Sequence, residues 1–168
     1  PWHQGGVIRT QYAYDTQARL LSVTDALNQS TGYSYDTLGR IFQKTDPRGA
    51  ITQYEYDAAG RAIKEILPDN SIYQFAYTVA GNTITETQVI DPNGNVTTHR
   101  FNGQGVELRR IDALGRVFKK EIDYATNQMT AEYDPVGRAT KYTYDSHGNR
   151  TSVVDPEGNT CGAQKFHP

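Results

Sequence analysis

A short motif returns along this sequence at a spacing of 21 residues. Its first three copies and a later one near the C-terminus read Tyr12-Ala13-Tyr14-Asp15, Tyr33-Ser34-Tyr35-Asp36, Tyr54-Glu55-Tyr56-Asp57 and Tyr142-Thr143-Tyr144-Asp145. A fixed internal period is typical of repeat architectures, in which each repeat packs mainly against its neighbours. The repeat therefore constrains the fold more than any other feature of the chain.

Each motif ends in a signal for a tight turn. Gly follows the Asp three residues later and Arg or Asn comes next, as in Asp36, Gly39 and Arg40. A second signal of the form Asp-Pro-x-Gly, as at Asp46, falls half a period later. Asp at the first position of a turn accepts backbone hydrogen bonds, and Gly at the fourth tolerates a positive φ. Turns are predicted to open at residues 15, 25, 36, 46, 57, 67, 78, 91, 102, 112, 123, 134, 145 and 155.

The first turn departs from this pattern because Ala18 occupies the position of Gly. If the turn is of the same type, Ala18 must hold a positive φ, which strains a residue that carries a Cβ atom. The segment from Asp123 to Asn127 also departs from the compact form, and the segment from Asn82 to Ile90 lengthens one interval to 13 residues. These three repeats are expected to be distorted.

The segments between turns have roughly 6–7 residues, an ordinary length for a strand and too short for a helix. The sequence therefore predicts an all-β fold, an antiparallel β-meander of about 15 short strands with two strands per repeat. Open twisted sheets rarely exceed about ten strands without curling, so this sheet is expected to curl or spiral.

The repeat also suggests a division of the chain. We expect a lead-in strand over residues 1–10, the repeat sheet over 11–160 and a non-repeat tail over 161–168. The sequence begins at Pro1 without an initiator Met, which is the expectation for a fragment of a longer protein. No apolar run is long enough to predict a membrane-spanning helix.

Composition and spacing argue against several kinds of site. The formal net charge of −2 offers no basic surface for nucleic acid or an anionic membrane. Cys161 is the single cysteine, and the four histidines lie far apart without other ligands at metal-binding spacing. His99 is expected to pack on a sheet face. We therefore predict no enzyme activity, no catalytic residue, no cofactor and no metal.

The aspartates and tyrosines each admit a second interpretation. Regular aspartates could form a paired-carboxylate hydrolase, but hydrogen bonding within turns explains their positions. The tyrosines could form an aromatic ladder for sugars, whereas cross-strand packing of the rings is the favoured reading. Each arginine after a turn glycine is expected to pair with a neighbouring turn aspartate. The predicted structural motif comprises Tyr12, Tyr14, Asp15, Arg19, Tyr33, Tyr35, Asp36, Gly39, Arg40, Tyr54, Tyr56, Asp57, Gly60, Arg61, Asp112, Gly115, Arg116, Tyr133, Asp134, Gly137, Arg138, Tyr142, Tyr144, Asp145 and Gly148.

From Gln11 to Asn159 the pattern Tyr-x-Tyr-Asp-x-x-Gly-Arg followed by Asp-Pro-x-Gly resembles the YD repeats of Rhs proteins, Tc-toxin C-type subunits and teneurins. This resemblance implies that the curled sheet forms part of a hollow β-shell, which in bacterial members encloses a C-terminal toxin. Bacterial members also end in a self-cleaving segment, but Asp155-Pro156-Glu157-Gly158 lacks its continuation, so self-cleavage is not expected.

The resemblance implies a non-enzymatic fragment of a bacterial shell that shields a toxin polypeptide. The alternative is an extracellular module, similar to teneurins, that binds carbohydrate or a receptor. The expected partners are the remaining repeats of the shell and the enclosed toxin, with a secretion or translocation apparatus and carbohydrate as further candidates. The expected location is secreted or at the cell surface.

Overall fold

The computed structural model describes residues 9–162, and every regular element in that range is a β-strand. Fifteen strands follow one another along the chain. Their bounds are β1 Gln11–Tyr14, β2 Leu20–Thr24, β3 Ser30–Tyr35, β4 Ile41–Thr45, β5 Ile51–Tyr56, β6 Ala62–Ile66, β7 Ile72–Ala80, β8 Thr83–Ile90, β9 Val96–Phe101, β10 Glu107–Ile111, β11 Val117–Asp123, β12 Gln128–Tyr133, β13 Ala139–Tyr144, β14 Arg150–Val154 and β15 Thr160–Gly162.

The strands form one sheet in which the order in space is the order in sequence, from β1 to β15. Neighbouring strands pair in an antiparallel sense, for example β3 with β4 and β10 with β11. The predicted antiparallel meander of about 15 strands is therefore confirmed. The chain divides into two compact units, Pro1–Phe75 and Ala76–Pro168.

Most strand side chains are half-buried. Within the described residues, the buried class contains Ala131 on β12 and Asn102 in the turn after β9, both in the second unit. A single sheet covers its side chains mainly through neighbours on adjacent strands, so cross-strand contacts carry the packing. Hydrogen bonds in the turns and contacts of aromatic rings between strands are therefore important for the stability of the sheet.

One predicted turn is wrong. The turn expected to open at Thr78 lies instead at Gly81 and Asn82, because β7 continues to Ala80 and β8 begins at Thr83. Thr78 has no carboxylate to accept the two backbone N–H groups that close the other turns, and β-branched Thr78 and Val79 favour an extended strand. Gly81 has a φ of 60° and permits the tighter reversal.

The two ends of the described range can be compared with the predicted lead-in strand and the predicted tail. Residues 9 and 10 lie outside any strand, and the rest of the expected lead-in strand lies outside the described residues. At the other end β15 pairs with β14 through Thr160, Cys161 and Gly162. The sheet thus includes residues 161 and 162 of the segment assigned to the tail, and residues 163–168 lie outside the described range.

Candidate functional site

The turn after each Tyr-x-Tyr-Asp motif is closed by one carboxylate oxygen. In the turn that follows β3, Asp36 Oδ1 accepts hydrogen bonds from the backbone N–H groups of Leu38 and Arg40, both at 2.9 Å. The Asp36 carbonyl accepts a further bond from Gly39 N–H at 3.0 Å, and Asp36 N–H donates to the Arg40 carbonyl at 2.8 Å. Four of the five turn residues therefore satisfy backbone groups within the turn, which explains the recurring position of the aspartate in the motif.

The fourth residue of the turn adopts the left-handed region. Gly39 has a φ of 80°, and Ala18 has a φ of 60° in the equivalent position of the first turn. The expectation that Ala18 holds a positive φ is confirmed. Asn28 and Asn70 take the same role in the degenerate turns that follow β2 and β6, with φ values of 59° and 65°.

The second carboxylate oxygen binds the residue that follows the turn glycine. Arg40 Nε donates to Asp36 Oδ2 at 2.7 Å, so the carboxylate that pairs with the arginine is that of its own turn. The arginine reaches the neighbouring turn through Nη1, which donates to the backbone carbonyl of Asp57 at 3.2 Å. Asn replaces Arg in some turns, and Asn95 Nδ2 donates to Asp91 Oδ2 at 2.8 Å. The equivalent pairs elsewhere are Asp15–Arg19, Asp57–Arg61, Asp112–Arg116, Asp134–Arg138, Asp145–Asn149 and Asp155–Asn159.

These hydrogen bonds lower the pKa of carboxyl groups at several of the turns. The backbone N–H of Arg40 holds the pKa of Asp36 below its ordinary value, and the guanidinium of Arg40 adds to the effect. The pKa of Asp15 is lowered in the same way by Arg19, and that of Asp145 by the Asn149 side chain. A general acid near neutral pH needs a raised pKa, so these carboxylates act as hydrogen-bond acceptors.

The second tyrosine of the motif connects consecutive repeats. The Arg40 guanidinium carbon lies 4.6 Å from the centroid of the Tyr56 ring, and the Tyr56 hydroxyl donates to the Ile41 carbonyl at 2.6 Å. We call this arrangement of an arginine, the carbonyl that follows it and a tyrosine of the next repeat the clasp. Arg19 lies over Tyr35 at 4.8 Å in a second clasp.

The hydroxyl half of the clasp occurs in both compact units. In the first unit the Tyr35 hydroxyl donates to the Leu20 carbonyl at 2.7 Å. In the second unit the Tyr144 hydroxyl donates to the Met129 carbonyl at 2.8 Å. The donor follows the acceptor by 15 residues in each case. Sequence reasoning missed this connection, although the constant distance from a turn arginine to a motif tyrosine was visible in the repeat.

Other tyrosine hydroxyls bond to carboxylates on the sheet. Tyr133 donates to Glu121 at 2.9 Å, and Tyr142 makes a short hydrogen bond to Glu132. Burial, the Glu132 hydrogen bond and the Glu132 charge raise the pKa of Tyr142 to about 12. Because these hydroxyls are engaged within the sheet, they are poorly placed to bond an external sugar.

The first motif contains the most accessible tyrosines. Tyr12 and Tyr14 on β1 are each 58% exposed, so their rings lie on the surface. Tyr33 and Tyr54 on β3 and β5 are half-buried. In Tyr54, burial and the Glu65 carboxylate raise the pKa. The tyrosines therefore form no uniform exposed row.

The structure brings together the residues of one turn and joins neighbouring repeats, but it does not gather the predicted motif into one cavity. Within residues 9–162, no group of three His, Cys, Asp or Glu side chains is arranged to hold a metal ion. His99 lies half-buried on β9 with its Nδ1 atom 2.8 Å from Glu107 Oε2. No helix of the described part of the chain is long and apolar enough to cross a bilayer.

The remaining predicted residues take the same positions in their own turns. Gly60, Gly115, Gly137 and Gly148 have φ values of 82°, 75°, 86° and 85°. Nothing lies within 4 Å of where a Cβ atom would stand at Gly60, Gly115 or Gly137. Backbone conformation, and not a lack of space, accounts for glycine at these three sites.

The meander, its Asp-closed turns and its clasps define a YD-repeat β-sheet protein. A comparison with protein families matches residues 2–161 to the teneurin YD-shell family. The chain belongs to that family and is a segment of a YD-repeat β-shell. A comparison with curated proteins finds no significant match.

Solved structures agree with this assignment at the level of the fold. The chain is similar to the crystal structure of TcdB2-TccC3-Cdc42, with a TM-score of 0.67 and 16% identity over 92% of this chain and 9% of that one. It is also similar to the Photorhabdus luminescens Tc holotoxin pore carrying a TccC3 mutation, with a TM-score of 0.64 and 17% identity over 91% and 9% of the two chains. The chain thus spans about a tenth of the length of the structures it matches.

Proposed function

We propose that this chain is a non-enzymatic segment of a shell wall that encloses and shields a toxic polypeptide. The observation that carries the proposal is the clasp, which ties the turns at Arg19 and Arg40 to the repeats that follow them and is a link by which a wall can extend by repetition. The resemblance to bacterial YD-repeat proteins suggests what the shell encloses, since in those proteins the shell contains a C-terminal toxin. The fold likeness to Tc-toxin chains supports the same reading.

The non-enzymatic part of the proposal is supported by how the polar side chains are used. Asp36 accepts hydrogen bonds from the backbone of its own turn, and these bonds lower the pKa of its carboxyl. A carboxylate held in this way is a poor proton donor at neutral pH. The wall therefore contributes enclosure, and no cofactor enters the proposed function.

The partners follow from the same proposal. The remaining repeats of the shell continue the wall, the toxic polypeptide occupies its interior, and a secretion or translocation apparatus delivers the assembly. The whole system operates outside the producing cell, secreted or at its surface.

Limited proteolysis of the complete polypeptide that contains this chain tests the proposal. The region that follows the repeats should resist cleavage while the wall is intact and become sensitive in denaturant. The double variant Arg40→Gln with Tyr56→Phe removes a clasp and should expose the cargo at a lower denaturant concentration. The matched control, Arg138→Gln with Tyr12→Phe, alters one arginine and one tyrosine that form no clasp and should leave protection unchanged.

The proposal is contradicted if the region after the repeats is cut in the native protein as fast as the same region produced alone. It is also contradicted if no polypeptide follows the repeats. If the two double variants expose the cargo to protease at the same denaturant concentration, the clasp does not contribute to enclosure. The proposal then loses the observation on which it rests.

The family assignment favours a second candidate, an extracellular module that binds carbohydrate or a receptor. The exposed rings of Tyr12 and Tyr14 are the surface that such a module would use. Glycan-array binding that is saturable and lost in Tyr12→Ala and Tyr14→Ala variants would favour this function over enclosure. Tyr124→Ala offers a control, because Tyr124 is 66% exposed in a turn outside the motif.

A further inference from the structure

A row of charged side chains crosses four adjacent strands of the second unit. Glu86 on β8 lies opposite Arg100 on β9, Arg100 lies opposite Arg109 on β10, and Arg109 lies opposite Lys119 on β11. Directly opposed residues share one face of an antiparallel sheet, and like charges in such positions repel. The row therefore places three cationic residues on adjacent strands, next to the single carboxylate of Glu86.

One cation of the row is neutralised within the chain. Arg100 Nε lies 2.7 Å from Glu86 Oε2. In the described range, neither Arg109 nor Lys119 forms an ion pair with an Asp or Glu. The Arg109 Nε atom is shielded from solvent and has no hydrogen-bond partner. Arg109, with its unpaired donor, thus lies opposite a lysine that forms no ion pair, which is an arrangement that an anion would complete.

A groove of about 260 Å³ opens at this point of the sheet. Arg109 and Lys119 line it together with the apolar side chains of Val117 and Pro135 and the ring of Tyr133. The groove combines two cations with walls that can contact an aliphatic chain.

The acidic groups nearest to the groove already have partners. Asp134 also lines it, but its carboxylate accepts from Arg138 Nε at 2.6 Å and closes its own turn. Glu121, two residues after Lys119 on β11, accepts from the Tyr133 hydroxyl at 2.9 Å. Glu107, which lines a second groove with Lys119, is paired with His99 and Lys120. Among the described residues, none of these three carboxylates forms an ion pair with Arg109 or Lys119.

We propose that this groove binds the carboxylate side chain of an acidic polypeptide segment. The Arg109 guanidinium would turn its Nε edge toward the groove and donate from Nε and one Nη atom to the two carboxylate oxygens, in the fork geometry that arginine favours. Lys119 Nζ would donate to one of the same oxygens. The apolar walls at Val117 and Tyr133 suit the methylene groups of a glutamate. Pairing with one carboxylate removes both the like-charge contact and the unpaired donor.

A polypeptide fits this groove better than a nucleic acid. Nucleic-acid surfaces need an extended track of cations along the phosphates, whereas this groove offers two and the chain has a net charge of −2. The inference rests on the charged row and the groove, and it holds whether or not the shell encloses a toxin.

The test uses the 168-residue chain labelled with ¹⁵N and an N-acetylated, C-amidated pentaglutamate peptide, with pentaglutamine as the matched neutral peptide. The pentaglutamate peptide should move the Arg109 Nε–Hε resonance in a saturable way, and pentaglutamine should leave it in place. Affinities of the variants are followed through the backbone amide resonances of β10 and β11, because substitution of Arg109 removes the Nε–Hε reporter. Arg109→Gln and Lys119→Gln should each weaken binding by roughly tenfold, since hydrogen bonds between charged groups are the strong ones. Arg48→Gln removes one positive charge from a turn of the other unit and should leave the affinity unchanged.

Arg109→Lys keeps the charge but loses the fork, so it should bind with an affinity between those of the native chain and Arg109→Gln. This variant keeps the test decisive if Arg109→Gln disturbs the sheet. The proposal is overturned if pentaglutamate leaves the resonance unmoved, if pentaglutamine moves it equally, or if Arg48→Gln weakens binding as much as Lys119→Gln. Inorganic phosphate saturating the site at a lower concentration than the peptide would also overturn it, in favour of a general anion site.

Discussion

The Arg40 guanidinium lies over the Tyr56 ring, 4.6 Å from its centroid, and so holds a tyrosine of the next repeat. The same arginine donates to Asp36 in its own turn at 2.7 Å. One side chain therefore joins the closure of a turn to the packing of the following hairpin. This double use explains why the arginine comes directly after the turn glycine and why the tyrosine comes directly before the next aspartate.

The Tyr56 hydroxyl should contribute to stability through its bond to the Ile41 carbonyl. Tyr56→Phe removes that bond but keeps the ring under Arg40, and we expect a loss of about 1 kcal/mol in unfolding free energy. Tyr12→Phe is the matched control, because Tyr12 lies exposed on the first strand. Urea unfolding of both variants measures the difference. Equal unfolding midpoints for the two variants would contradict the hydroxyl half of the clasp.

The arginine half of the clasp can be tested separately. Arg40→Lys keeps the charge but loses the planar contact with Tyr56, and a cation–π contact of this kind contributes about 0.5–1 kcal/mol. Arg138 makes the same pair with Asp134 but is 62% exposed, so Arg138→Lys should cost less. The rate of hydrogen exchange of the amides in β4 and β5 should rise in Arg40→Lys and stay unchanged in Arg138→Lys. If Arg138→Lys raised hydrogen exchange near its own turn as much as Arg40→Lys does in β4 and β5, the pair within the turn, and not the contact with the ring, would account for the stabilisation.

The turns and the meander could be predicted from sequence because both depend on local chemistry. Asp, Pro and Gly at fixed offsets specify turns through bonds within five residues, as Asp36 to Arg40 shows. The order of strands then follows, since short hairpins leave each strand beside the next.

The clasp, the turn at Gly81 and the groove at Arg109 depend on contacts between strands, which the repeat pattern does not encode directly. The contact between Arg40 and Tyr56 requires the register of β4 with β5. The tighter reversal at Gly81 follows from the strand preference of Thr78 and Val79, which a search for evenly spaced turns overlooks. The unpaired Arg109 arises from the register that sets it opposite Arg100 and Lys119.

Ala18 provides a test of backbone strain, since its φ of 60° is unfavourable for a residue with a Cβ atom. Ala18→Gly should stabilise the first hairpin by roughly 1 kcal/mol. Gly39→Ala should destabilise the second Tyr-Asp turn by a similar amount, and because nothing lies within 4 Å of the added Cβ atom, conformation alone sets the cost. Hydrogen exchange of the amides from Thr10 to Ser22 reports on the first variant. Unchanged or reduced protection in Ala18→Gly would contradict the strain at that position.

The free energy of unfolding of the sheet should decrease at acidic pH, because the turn aspartates become protonated. The pKa of Asp36 is lowered from an ordinary value of 3.8, chiefly by the Arg40 backbone N–H, and Asp57 and Asp112 shift in the same direction. A carboxyl whose pKa is lower in the folded state stabilises that state fully above its ordinary pKa, and this contribution disappears as the pH falls through the lowered value. Urea midpoints should therefore hold steady above about pH 5 and fall below about pH 4.

Asp36→Asn separates the turn carboxylate from other acid effects. The amide oxygen can still accept the two backbone bonds, but the side chain no longer titrates in this range. The fall in stability below pH 3.8 should be smaller in Asp36→Asn than in the native chain. An identical pH profile for the two proteins would show that Asp36 does not contribute to acid sensitivity.

Asn102 occupies the aspartate position of its turn, and the residue four positions later is Val106 instead of Arg or Asn. Its Oδ1 atom accepts from the N–H groups of Gln104 and Val106 at 3.0 and 2.9 Å, but its buried Nδ2 atom has no partner. Asn102→Asp alone should destabilise, since it buries an unpaired carboxylate oxygen. Adding Val106→Arg restores the pair found in the other turns, and the two changes should couple favourably by roughly 1 kcal/mol in a double-mutant cycle. Strictly additive effects would mean that the pair of a turn aspartate and its following arginine does not stabilise this position.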